Sequence, residues 1–219
     1  MKDVKVSSET SEFNKDVNEP MMKKISLPLC VLAFVSGLFV LKPAYAAFAK
    51  LTPEQIQEAV DYGQKNKTMD MAAFSKPWIV SLGKGIGSAA VFTPFHNLAY
   101  RARKMAVERR EVTGADIQQV LEGGDVLSFS VTVYGEEYDF AMHHTAQLNQ
   151  KDAIIQPDFE YVPEIAEASE FWPNYPAHVA RLVFKFPAKE IDFDFLATLV
   201  VNIPGGEEIS FPFDLSKMK

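Results

Sequence analysis

Residues 125–133 read Asp-Val-Leu-Ser-Phe-Ser-Val-Thr-Val. Leu127, Phe129, Val131 and Val133 alternate with Ser128, Ser130 and Thr132. A period of two places the apolar members on one face of a strand and the hydroxyl-bearing members on the other. Upstream of Asp125 the apolar spacing is three and four; downstream it is two. The change of period marks a passage from helix to sheet, and Gly123-Gly124 just before it predicts a boundary.

Five more apolar sets follow. Phe140, Met142, His144, Ala146 and Leu148 alternate, and Ile155, Phe159 and Tyr161 form a set broken by Pro157. Leu182, Phe184 and Phe186 make another, then Leu199, Val201 and Ile203, then Ile209, Phe211 and Phe213. Gly205-Gly206 between the last two is a hairpin signal. About six strands joined by short polar turns, with no helix between them, predict an antiparallel sandwich rather than a parallel βαβ sheet. Immunoglobulin-like layering is compatible with this pattern, although the paired cysteines around a tryptophan are absent.

Working toward the N-terminus, Thr113 caps a short helix carrying Ile117, Val120 and Leu121, with Asp116 at the capping-box position. Thr93-Pro94 starts a longer one, predicted to run to about Arg110, whose apolar face is Phe95, Leu98, Ala99, Ala102, Met105 and Ala106. Arg101, Arg103, Lys104, Arg109 and Arg110 give that helix a basic side, read as solvated or paired with the protein's own acids. Trp78–Leu82 and Ser88–Phe92 are extended segments around Gly83-Lys84-Gly85-Ile86-Gly87. A hairpin with glycines at positive φ accounts for this stretch. It completes neither the P-loop nor the dinucleotide pattern. Thr52-Pro53-Glu54-Gln55 opens a first helix, with Ile56, Ala59, Val60 and Tyr62 on one face and Gly63 as its stop. The expected fold is therefore α+β. A helical region with a glycine-turn hairpin (47–124) packs on a C-terminal antiparallel β-sandwich (125–219).

Residues 21–46 have a different character. Lys23 and Lys24 precede an apolar run from Ile25 to Leu41, and Ala44-Tyr45-Ala46 follows Pro43. A cationic start, an apolar core and a small-x-small site make a secretory signal peptide. Cleavage is expected between Ala46 and Ala47. An uncleaved anchor is the rival reading, since the run is close to the lower limit of about 17 residues for a membrane span. Residues 1–20 read as a leader or as translation assigned from too early a start, with Met21 or Met22 as the alternative. Cys30 is preceded by Leu29 rather than a small residue and lies inside the apolar run, which does not suit lipid attachment.

The chain has 22 Lys and Arg against 29 Asp and Glu, a net charge of −7. That balance disfavours a nucleic-acid partner. The single cysteine lies within the signal segment, so the exported part has no disulfide and no thiolate chemistry. Its location is expected to be the periplasm or the extracellular space of a bacterium.

The candidates for chemistry are few. Residues 163–178 interrupt the strands with Glu164, Glu167 and Glu170, then Phe171-Trp172-Pro173-Asn174-Tyr175-Pro176. Phe171, Trp172 and Tyr175 make an aromatic, proline-stiffened tip that could stack on a sugar or dock a protein partner; in the alternative, Phe171 and Trp172 fold back as a plug over one sandwich edge. His143 and His144 are adjacent on a predicted strand and so point to opposite faces. His144 falls on the apolar face. His143 could join His178 and an acid such as Glu136 or Asp139 in a copper or zinc site, without a diagnostic spacing. No Gly-x-Ser-x-Gly occurs, and nothing links Ser81 or Ser88 to a histidine and an acid. Asp192 and Asp194 read as a solvated turn. No catalytic residue and no cofactor is assigned. These readings favour an exported, non-catalytic binding or structural protein of the envelope with a protein partner. A periplasmic metal-binding protein and a hydrolase of envelope glycans or lipids are the alternatives. Membrane attachment is expected only if the signal segment stays uncleaved.

Overall fold

The computed structural model describes residues 51–218. The expected leader (1–20), signal peptide (21–46) and Ala46–Ala47 cleavage site lie outside them. Helix α1 (Pro53–Lys65) begins at Thr52, whose hydroxyl accepts from Gln55 N–H while the Gln55 side chain accepts from Thr52 N–H. Helix α2 (Met71–Ser75), which the periodicity did not reveal, is one turn capped by Asp70. Helix α3 (Pro94–Val107) is capped by Thr93. It stops short of Arg110 because Arg109 turns to φ 57°. Helix α4 (Gly114–Leu121) carries the full capping box of Thr113 and Asp116.

The two long helices meet where α1 has no side chain. A β-carbon on Gly63 would overlap the Ala99 carbonyl oxygen and crowd Ala102. Glycine is needed here for approach rather than for an unusual φ. Beside this crossing, Tyr62, Phe74, Trp78, Phe95 and His96 stack on one another, with Trp78 and His96 centroids 4.4 Å apart.

Two antiparallel sheets form the rest. Strands β1 (Ile79–Gly83) and β2 (Gly87–Phe92) make the expected hairpin, with Gly83, Gly85 and Gly87 at φ +126°, +76° and +156°. The remaining strands are β3 (Val126–Gly135), β4 (Thr145–Gln150), β5 (Ala153–Ile155), β6 (Phe159–Tyr161), β7 (Glu167–Ala168), β8 (His178–Pro187), β9 (Leu196–Ile203) and β10 (Glu207–Asp214). The first sheet runs β1-β2-β3-β8-β6, with β7 also on β8; the second runs β10-β9-β4-β5. The hairpin is thus an extension of the first sheet at its edge. Pro157 marks the crossing from β5 in one sheet to β6 in the other. Pro212 sits in β10, an edge strand where a missing N–H is tolerated.

The sheets face each other through aromatic side chains. Phe129 of β3 lies 5.1 Å from Phe213 of β10, ring centre to ring centre. Leu127, Phe129, Val131, Leu182, Phe184, Phe186, Leu199, Val201, Phe211 and Phe213 are buried in one cluster that also holds Trp78, Phe95 and Leu98. Helices and strands therefore share a core.

One expected strand begins late. Residues 136–144 are turns, and β4 starts only at Thr145. Phe140 folds onto Gly135, where a β-carbon would overlap its ring, and Met142 is exposed. The alternation at 140 and 142 is not a core face.

His96 is 4% exposed, and burial pushes its pKa down to about 4. The unfolded chain takes up a proton near pH 6.5 that the folded chain refuses until about 4. Stability must therefore fall on acidification across that window. The usual carboxylate losses come lower, because the folded-state pKa values of Asp116, Asp192 and Asp214 are depressed. Urea unfolding should show that His96→Phe reduces the stability difference between pH 7 and pH 4.5 by about 2–3 kcal/mol. Equal losses in both proteins would show that His96 is not the source.

Candidate functional site

The aromatic tip is a braced loop, Ser169–Ala177. Ser169 is its hub: its N–H donates to the Ala177 carbonyl at 2.9 Å, and its hydroxyl donates to the Pro176 carbonyl. The same hydroxyl accepts from Phe171 N–H at 3.0 Å. Trp172 N–H donates to Ser169 O at 3.2 Å and Asn174 N–H to Phe171 O at 2.8 Å. The Trp172–Pro173 and Tyr175–Pro176 peptide bonds are cis.

The loop rests on the β1–β2 turn. A β-carbon on Gly85 would sit 3.2 Å from the Phe171 ring and 3.4 Å from Pro176. Lys84 Nζ lies 5.1 Å over the Phe171 ring and 3.4 Å from a Glu170 carboxylate oxygen. Tyr134 also meets Phe171, edge-on, with ring centroids 6.1 Å apart. Phe171 is thus the plug. The other two aromatics are not: Trp172 is 58% exposed and Tyr175 75%. Of the two rings expected to fold back as a plug, Phe171 does so and Trp172 does not.

His178 stands beside this loop, with Trp172 edge-on to its ring at 5.4 Å. Its Nδ1 is 2.6 Å from the Glu136 carbonyl oxygen. A carbonyl only accepts, so Nδ1 carries the proton and Nε2 keeps the lone pair in the neutral ring. Glu136 meets His178 through its main chain and not through its carboxylate. His143 lies in the 136–144 turn at φ 76°, exposed, and not on a strand. Among the described residues, no group of three or more His, Cys, Asp or Glu is placed to hold a metal ion. His144 is buried against Phe140, and burial lowers its pKa.

A serine–histidine contact does occur, away from the serines weighed in the sequence. Ser75 Oγ lies 3.2 Å from His96 Nε2. His96 Nδ1 has no partner, and its pKa near 4 makes it a poor general base at neutral pH. The pair reads as a core hydrogen bond. Ser81 Oγ accepts from Gly83 N–H inside the hairpin turn.

The basic side of α3 is largely used within the protein. Arg101 donates to Asp116, and the Thr113 hydroxyl with that guanidinium holds the Asp116 carboxyl far below the usual range. Arg103 donates to the Met69 carbonyl and lies 5.3 Å over Phe74. Asp192 pairs with Lys151 at 2.8 Å, which lowers its pKa.

No family model matches the chain, and no curated protein matches it. A similar solved structure is that of a novel protein of unknown function from Burkholderia pseudomallei K96243. It is 15% identical, with 76% of this chain and 94% of that one covered and a TM-score of 0.36. Among the described residues, no helix is long and apolar enough to cross a membrane.

Ser169→Ala removes a buried hydroxyl that serves both a donor and an acceptor, a loss of about 1–3 kcal/mol. Amide hydrogen exchange should show Phe171 and Trp172 losing tenfold or more of their protection while the β3–β8 amides keep theirs. Unchanged protection at Phe171 would show that the loop is braced by something else.

Proposed function

We propose that this chain is an exported, non-catalytic binding protein of the bacterial envelope, engaging a protein partner through Trp172 and Tyr175. One observation carries the reading: two large aromatics stand in solvent on a loop whose main chain is fixed from within and from below. A rigid aromatic provides contact area at small entropic loss on binding, because its backbone is already ordered. Phe171 and Ser169 supply that order without facing the partner. The export half of the proposal rests on Lys23-Lys24, the apolar run to Leu41 and the Ala44-Tyr45-Ala46 site. Release between Ala46 and Ala47 leaves a thiol-free domain. Without cleavage the same domain would be tethered to the inner membrane.

The test has two arms. The full chain is expressed with its own leader in a bacterial host, and the intact mass of the purified product is measured. It should begin at Ala47 and come from the periplasmic fraction; an intact leader on cytosolic protein overturns the export reading. A photo-reactive amino acid placed at Asn174, between the two aromatics, should then capture one protein partner in cells. Trp172→Ala with Tyr175→Ala should weaken that complex by about 10- to 1000-fold, the range for two interface anchors. Retention of the partner at wild-type strength would remove the loop from the binding surface.

A further inference from the structure

A second surface lies further along β8, where its outer partner is interrupted. β6 pairs Phe159 with Lys185 and Tyr161 with Val183; β7 pairs Glu167 with Val179. Four steps along β8, from Val183 to Val179, face six steps along the edge chain, from Tyr161 to Glu167. The two surplus residues make Val162–Ala166 bow outward, held at its far end by Ala166 N–H donating to the Tyr138 carbonyl at 2.7 Å. The bow leaves Ala180–Leu182 without a strand partner on that side. It also borders a cavity of about 350 Å³.

The lining follows from parity. Arg181 and Val183 alternate with the buried Ala180, Leu182 and Phe184, so they point away from the core. Thr132 is the cross-strand partner of Arg181, Tyr161 that of Val183, and Glu167 that of Val179. Thr132, Tyr161, Glu167, Arg181 and Val183 therefore rise from one sheet face, and Ile165 of the bow lines the same cavity. Arg181 and Glu167 are diagonal neighbours, roughly 7–8 Å apart at their backbones. Neither forms an ion pair within the described residues, although six other cations of this acidic chain do so with nearby carboxylates. A cation and an anion thus line one small cavity without neutralising each other. Beside them are a hydroxyl and an apolar wall of Ile165, Val183 and the Tyr161 ring.

We propose that this cavity binds a small zwitterion of the α-amino-acid class, free or as a dipeptide. The Arg181 guanidinium takes the carboxylate in a two-pronged contact, with the Thr132 hydroxyl as a further donor. Glu167 takes the ammonium group. The ligand's side chain lies on Ile165, Val183 and Tyr161, which favours an apolar residue such as leucine. The volume is at the small end of the usual range for such sites, about 300–1000 Å³. This site is independent of Trp172 and Tyr175 and does not rest on the role proposed for them.

The test is calorimetry and ligand-observed NMR on the folded chain, with leucine, leucyl-leucine, N-acetylleucine and leucinamide as probes. Leucine or leucyl-leucine should bind saturably. N-acetylleucine, which lacks the ammonium group, and leucinamide, which lacks the carboxylate, should each bind at least tenfold more weakly. Arg181→Gln and Glu167→Gln should each weaken binding at least tenfold with the thermal midpoint unchanged, since both side chains are exposed. No saturable binding up to about 10 mM, the weak end of specific association, overturns the proposal. So does equal binding of N-acetylleucine, which would make this a plain anion site, or binding that survives Arg181→Gln.

Discussion

The structure depends on the pairing of β3 with β8, an unbroken antiparallel ladder from Val126 opposite Pro187 to Gly135 opposite His178. Its inward side chains are Leu127, Phe129, Val131 and Val133 on one strand and Ala180, Leu182, Phe184 and Phe186 on the other, all buried. A slip of one residue would turn these to solvent and bring Ser128, Ser130 and Thr132, or Arg181 and Lys185, into the core. Each inverted polar group would then lack partners in a low-dielectric interior. The register is thereby fixed by burial, not by the turns at either end. Everything on the outer face inherits it: Thr132 lies beside Arg181, Tyr134 beside Val179, and His178 at the level of Gly135, one residue from the Glu136 carbonyl.

Charge is distributed to the same effect. Where an arginine is needed to hold secondary elements together, it meets a carboxylate or a carbonyl: Arg101 ties α3 to Asp116 on α4, and Arg103 reaches the Met69 carbonyl. At the core, His96 is kept neutral by its burial among aromatic rings. Arg181 differs from both groups. It has neither an internal acid to hold nor an apolar shell to neutralise it, and the chain around it bends away to make room.

Legibility followed burial. The capping threonines at 52, 93 and 113, the alternation from Leu127 to Val133 and the Gly205-Gly206 turn were all readable, because each depends on local chemistry or on a strand with one buried face. The 140–148 set misled because Phe140 and His144 are half-buried and buried for reasons of loop packing. A ring seated on Gly135 produces the same letter pattern as a strand. Of the short edge strands, β5 and β6 were marked only by the broken set of Ile155, Phe159 and Tyr161, and β7, exposed at both residues, left no signal; β4 dictates where β5 pairs, and β8 where β6 and β7 do. The same limit applied to the histidines. Whether His143 lay near His178 turned on where β4 begins, and that start was not encoded in the alternation. The aromatic tip was legible as a cluster. Its division into a plug and two exposed rings was not, because Phe171 is captured by the bare backbone of Gly85, far away in sequence.

The two outer surfaces are built by one continuous segment, Val162 to Ala177, laid along β8. The bow that borders the cavity ends at Ala166; β7 follows with Glu167 and Ala168; the loop hub, Ser169, comes next. Only two residues of strand separate the wall of the cavity from the base of the aromatic loop, and both are paired to β8 at Val179 and His178. A strand that short has little stability of its own. It is held from both sides, by Ala166 on the Tyr138 carbonyl and by Ser169 on Ala177. Side-chain changes at Arg181 or Trp172 therefore alter one surface alone. A change that frees the β7 backbone removes the support of both together, and this contrast distinguishes chemistry at either surface from the scaffold they share.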